Sequence, residues 1–116
     1  KAILAEEKAR LEKRKKKFGD PKVGAMIEVP AAVWVVEEIA QAVDFMCVGT
    51  NDLVQYTLGV DRDNELAADW FRTLHPAVLR SLKKILDAAE KYSTPTIICG
   101  EMAGSHVYAP ILVGLG

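Results

Sequence analysis

The chain has 116 residues, with fifteen basic and sixteen acidic side chains that leave a net charge of −1. That balance argues against a surface built to bind nucleic acid or an anionic membrane, and no apolar run approaches the roughly 20 residues that span a bilayer. Half of the residues are hydrophobic and 27% are charged, the proportions of one soluble domain with an ordinary core.

Residues 1–17 are rich in Ala, Glu, Lys, Leu and Arg, and Ile3, Leu4, Leu11 and Phe18 give them a thin apolar stripe. The pattern predicts a solvated amphipathic helix, ended by Gly19-Asp20-Pro21. It is too charged for a signal peptide. Its basic run, Lys13 to Lys17, shares the helix with Glu6, Glu7 and Glu12 and lacks interleaved aromatics, so it reads as a solvated face and not a nucleic-acid site. Val23 to Val29 reads as a short buried strand with one exception, Glu28. Pro30 can open the helix that Ala31 to Val43 predicts. Asp44 to Gly49 reads as a second strand, and a short helix is expected over Leu53 to Leu58. Residues 59–75 look irregular. Pro76 to Tyr92 has apolar Val78, Leu82, Ile85, Leu86 and Ala89 at helical spacing. Thr94 to Cys99 reads as the third strand, residues 100–105 as a loop, and Val107 to Leu115 as a final helix.

Apolar strands alternating with helices predict a parallel sheet covered on both faces. Three strands make a poor sheet of that kind alone. They suit consecutive units of a (β/α)₈ barrel, which needs about 250 residues. The expectation is therefore an α/β fragment: about three βα units of a TIM barrel with a preceding helix, filling residues 1–116. The missing initiator Met and the stop at Gly116 also read as the ends of a piece of something larger. Open strand edges in such a piece favour self-association or a homodimer.

Each strand ends in chemically capable residues: Glu28; then Gly49-Thr50-Asn51-Asp52; then Cys99-Gly100-Glu101. That is the edge on which α/β folds build sites. Glu28 and Asp52 together suit Mg²⁺, which takes hard oxygen ligands and keeps waters and a substrate phosphate. Taken singly, Glu28 reads rather as an exposed strand end and Asp52 as a helix cap. Gly49-Thr50-Asn51 could cradle an anion or simply turn the chain. Cys99 could exchange a proton, or be a buried small hydrophobe, as Cys47 is expected to be. Two cysteines without CxxC-type spacing suggest neither a metal site nor a disulfide framework, so a reducing, cytoplasmic setting is expected. Arg62 could clamp a phosphate or form a surface ion pair. His75 and His106 read as caps or surface residues, and Trp34 and Trp70 as packing aromatics.

Met26-Ile27-Glu28-Val29-Pro30-Ala31-Ala32, Val48-Gly49-Thr50-Asn51-Asp52-Leu53-Val54-Gln55-Tyr56-Thr57, Asp61-Arg62 and Cys99-Gly100-Glu101-Met102-Ala103-Gly104 closely resemble, in that order, the C-terminal domain of the enzyme I family. These are the phosphoenolpyruvate–protein phosphotransferases of the bacterial sugar phosphotransferase system. The resemblance runs from about Val23 to Gly116. It implies a (β/α)₈ barrel that binds phosphoenolpyruvate and Mg²⁺ and dimerises. Glu28 and Asp52 would hold the metal. Asn51 and the backbone around Thr50 would hold substrate oxygens, and Arg62 the phosphoryl group. Cys99 would protonate the enolate carbon as pyruvate forms. The family passes the phosphoryl group to a histidine on another domain and then to the carrier protein HPr.

The motif around that histidine is absent here, as are the arginines of the family's earlier strands and its last strand. Ser105 stands where an acidic residue commonly follows. The chain thus carries about half of a site, and little phosphotransfer is expected from it alone. Two other readings remain. One is a fragment of phosphoenolpyruvate synthase or pyruvate phosphate dikinase, against which Gln55-Tyr56-Thr57 and Glu101-Met102-Ala103-Gly104 argue. The other is a non-catalytic oligomerisation module.

Overall fold

A computed structural model describes all residues, 1–116. Its centre is a three-stranded parallel sheet in the order β1 (Gly24–Ile27), β2 (Phe45–Gly49), β3 (Thr96–Cys99). Helix α1 (Ala2–Lys13) precedes the sheet. Helices α2 (Pro30–Trp34) and α3 (Val36–Ala42) connect β1 to β2. Helix α4 (Thr50–Leu58), a 3₁₀ helix (Glu65–Trp70) and α5 (Pro76–Tyr92) connect β2 to β3. Helices α6 (Glu101–Gly104) and α7 (Ala109–Leu115) follow.

The strands bury only one of their faces. Side chains alternate across a strand, and Ile27, Met46 and Val48 are fully buried against the helices. There they join Val33, Val36 and Ala40, Leu53 and Val54, and the Val78, Leu82, Ile85 stripe of α5. The register aligns Met26, Cys47 and Ile97 on the opposite face. Met26 is 49% and Ile97 58% exposed. The expectation of a sheet covered on both sides is therefore corrected. Apolarity on both strand faces is present, but the helices of this chain cover only one.

Several boundaries also move. The first helix stops at Lys13, and Lys15 turns left-handed (φ 52°), well before the Gly19-Asp20-Pro21 breaker. Consecutive β-branched residues Val35 and Val36 divide the second helix, which breaks at Val35 (φ −111°, ψ 24°). Helix α4 starts at Thr50, directly after β2 and three residues before the expected Leu53. The loop expected at 100–105 contains α6. Helix α5 matches its predicted span at both ends. Its N-cap is His75, whose Nδ1 accepts from the Ala77 N–H at 3.2 Å. Trp34 and Trp70 are not packing aromatics: they are 77% and 69% exposed. Val33 takes the inward position on α2, and the next residue is carried about 100° around the axis.

Two polar ties hold α3 to α5 and to the start of β3. Thr94 Oγ1 donates to the Ala40 carbonyl at 2.9 Å. Glu37 Oε2 accepts from Lys91 Nζ at 2.6 Å and from the Tyr92 hydroxyl at 2.8 Å. The Lys91 hydrogen bond, helped by Tyr92, holds the Glu37 carboxyl below the usual carboxylate range. A depressed carboxyl contributes stability above its unfolded-state value and loses it as pH falls through its folded value. Glu37→Gln should therefore lower the urea midpoint at neutral pH. The gap to the parent chain should close as pH drops below the ordinary carboxylate range, which urea titrations at stepped pH would read.

Candidate functional site

Parallel pairing brings the C-terminal ends of all three strands to one edge. Gly49 is paired with Cys99, and Glu28 lies beside Gly49 on its other flank. Glu28 Oε2 is 2.8 Å, and Met26 Sδ 3.4 Å, from the point a Cβ on Gly49 would occupy. Glycine at this position thus leaves room for a carboxylate to lean over the end of the central strand. Glu28 is half-buried. No other side chain or backbone group forms a hydrogen bond or ion pair with its carboxylate.

Asn51 and Asp52 stand in the first turn of α4, because that helix begins directly after the strand. The N-cap is Gly49 and no side chain caps the helix, so Asp52 does not play the capping role open to it. Its negative charge complements the helix dipole there, and it too has no hydrogen-bonding or ionic partner. No three of the His, Cys, Asp and Glu side chains form a ready-made metal cluster. Two uncommitted carboxylates nonetheless fit the donor chemistry of Mg²⁺, whose remaining positions go to water and substrate phosphate.

Thr50 is 1% exposed and donates from Oγ1 to the Cys99 carbonyl at 2.8 Å. Asn51 Oδ1 accepts from the Glu101 N–H at 2.9 Å. These two bonds lock the β2–α4 corner to the β3–α6 corner. The Thr50 hydroxyl is thereby committed internally, while the Asn51 side-chain N–H₂ remains free. Gly100 sits within the lock at φ +93° and ψ −175°, a region essentially reserved for glycine. A Cβ there would also collide with Thr50 Oγ1 and Asn51 Oδ1. The expectations at Thr50 and Gly100 missed this structural role. A glycine directly after a strand, opposite Thr-Asn after the neighbouring strand, was the available signal.

Cys99 lies on the bare face of the sheet, on the same side as Glu28. Its Sγ donates to the Val48 carbonyl at 3.1 Å and is 3.9 Å from Met26 Sδ. Burial, followed by the nearby Cys47 and Glu28, pushes the thiol's pKa up. Burial and the Glu28 carboxylate both disfavour a thiolate, so Cys99 keeps its proton at neutral pH. Cys47 is only half-buried, because it faces the bare side.

Arg62 lies in the segment that links α4 to the 3₁₀ helix. Helix α4 runs roughly 13 Å at 1.5 Å per residue and ends at left-handed Gly59 (φ 65°). Arg62 follows, exposed. Its only ion-pair partner is Asp63 at 3.9 Å, and its N–H donates to Gln55 Oε1 at 3.4 Å. None of the larger cavities is lined by Glu28 or Cys99. The cavity between the two locked corners holds only about 50 Å³, far below the few hundred Å³ of a ligand pocket.

The family model for PEP-utilising enzymes, PEP-binding domain, matches residues 1–116. The chain belongs to that family. It is 43% identical over 117 residues to the phosphoenolpyruvate-protein phosphotransferase of Latilactobacillus sakei, a match covering 100% of this chain and 20% of that protein. Identity, length and both coverages are the same for the Bacillus subtilis (strain 168) protein of that name. The Chlamydia pneumoniae protein of that name is 50% identical over 93 residues, 80% of this chain and 16% of its own length. The chain thus spans about a fifth of the length of the curated relatives it matches. No helix is long and apolar enough to cross a membrane.

Two measurements test this geometry. Gly100→Ala should cost at least roughly 1–3 kcal/mol from backbone strain, and more from the collision. Gly104→Ala, with nothing within 4 Å of its added Cβ, should cost far less in the same denaturation series. Cys99, read in a Cys47→Ser background, should alkylate with iodoacetamide more slowly than a free thiol at pH 8. Its rate should keep rising at pH values where the free thiol has levelled.

Proposed function

We propose that this chain is the phosphoenolpyruvate-binding part of a phosphoenolpyruvate–protein phosphotransferase. The observation that carries the reading is the convergence of Glu28, Gly49 and a protonated Cys99 on one sheet edge, with Asn51 and Asp52 in the adjoining helical turn. The bare sheet face supports the finer fold reading, a partial (β/α)₈ barrel. In the parent enzyme that face would be the barrel interior, completed by further strands, and the parent would assemble as a dimer.

Glu28 and Asp52 would hold Mg²⁺. When bound, the ion neutralises charge on the phosphoryl group and on the enolate oxygen. Asn51 would donate its free N–H₂ to a substrate oxygen while Glu101 N–H fixes the side chain's other end. Arg62, whose ion-pair partner is the exposed Asp63, would supply a guanidinium to the phosphoryl group. Breaking the bond between phosphorus and the bridging oxygen sends the phosphoryl group to a histidine elsewhere in the parent enzyme. The enolate that remains takes the Cys99 proton on carbon, giving pyruvate and a thiolate. A thiol held above its ordinary pKa, beside a carboxylate, is suited to be present as the acid at neutral pH. From the parent's histidine the phosphoryl group would pass to HPr.

The isolated chain should bind without turning over. In backbone NMR of the labelled chain, Mn²⁺ should broaden signals around Glu28 and Asp52 together. Added phosphoenolpyruvate should then shift Asn51. Glu28→Gln with Asp52→Asn should abolish the broadening. Scattered broadening that survives the double substitution would count against the assignment.

A further inference from the structure

An apolar groove lies away from the strand ends, on the outer, helical side. It holds about 330 Å³, within the range of small-molecule sites. Helix α2 supplies Val33 and Trp34, α4 supplies Thr57, and α5 supplies Arg80, Ser81 and Lys84. Four features there serve no purpose in the phosphotransferase reading. Trp34 is 77% exposed, unusual for so large an apolar surface. Lys84 Nζ sits 5.6 Å from the centre of its ring. Neither Lys84 nor Arg80 forms an ion pair, although Glu37 lies within electrostatic reach of Lys84; their neighbours Lys83 and Lys91 are paired with Asp87 and Glu37. Thr57 Oγ1 is the one buried side-chain oxygen or nitrogen with no hydrogen-bond partner. Ser81, by contrast, is satisfied by the Ala77 carbonyl at 2.9 Å.

An exposed indole offers a flat apolar surface for stacking. Arg80, which forms no ion pair, and Lys84, held over the indole, leave positive charge at the same groove that calls for negative charge. An orphaned buried hydroxyl calls for a polar neighbour. We propose that this groove is a binding site for a small planar aromatic anion, an aryl or heteroaryl phosphate, stacked on Trp34 with its charge held by Arg80 and Lys84. The charge complementarity selects this occupant over a neutral hydrophobe, and the one indole at the groove selects a small flat body over an extended peptide. The site is independent of the strand-end edge, so neither reading stands or falls with the other.

The test uses the full 116-residue chain carrying Trp70→Phe, so that Trp34 is the only indole reporter. The probe is 1-naphthyl phosphate, compared with 1-naphthol and with inorganic phosphate. The phosphate ester should quench Trp34 saturably at one equivalent and shift the Val33, Trp34 and Ser81 amide signals. Naphthol and inorganic phosphate should each bind at least about tenfold more weakly, the factor that corresponds to 1.4 kcal/mol. Arg80→Ala and Lys84→Ala should each weaken the ester without weakening naphthol. Thr57→Val should also weaken it, although removing an unpaired buried hydroxyl should leave the chain as stable or more stable. Equal binding of naphthol and the ester, or indifference to both cation substitutions, would overturn the proposal. So would light scattering showing a dimer that Trp34→Ala dissociates, because a second copy would then be the occupant.

Discussion

A parallel strand pair cannot be closed by a tight turn; the chain must cross back over the sheet before the next strand begins. Nearly everything else in this molecule descends from that constraint. The crossover segments become α2 with α3, and α4 with α5. They bury Ile27, Met46 and Val48 beneath them. Because each strand then runs in the same direction, the residues that follow Ile27, Gly49 and Cys99 emerge side by side. Chemistry scattered over more than seventy positions of sequence is gathered without any single contact being specialised for it.

Gathering alone does not make a precise edge. That task falls to the hydrogen bonds from Thr50 to the Cys99 carbonyl and from Glu101 N–H to Asn51. Both act between corners of adjacent strands, and Gly100 is the residue that lets them close. The lock has a chemical side effect. It fixes the backbone of Cys99 while leaving Sγ against the Val48 carbonyl and near Glu28, the surroundings that keep the thiol protonated.

Much of this was legible in the residue order. The amphipathic repeat of α5 sets its span, because the period is clean and a Pro stands at its first position. Glu28, Asp52 and Cys99 stood out because charged or reactive groups interrupt apolar runs at strand ends. Less legible were features that depend on what lies across space. Apolar residues on both strand faces looked like two covered faces, since composition does not reveal whether the covering element belongs to the same chain. Trp34 looked like core because tryptophan commonly is, and its neighbour Val33 took the inward place. The role of Gly100 as spacer between two polar side chains could not be read from a glycine alone.

Helix α1 contributes no buried residue. It meets the rest of the chain through the Lys1–Asp44 and Lys8–Asp20 pairs and the partly covered Leu4 and Leu11. With it, the molecule stretches to 57 Å along its longest axis and has a radius of gyration of 17.3 Å, against about 13 Å for a compact domain of this size. Twelve residues held mainly by exposed ion pairs belong to a weaker cooperative unit than the sheet. On warming, or on adding salt, this helix would fray while α5 and the strands were still intact. Far-ultraviolet dichroism would then lose helical signal ahead of any probe placed in the core.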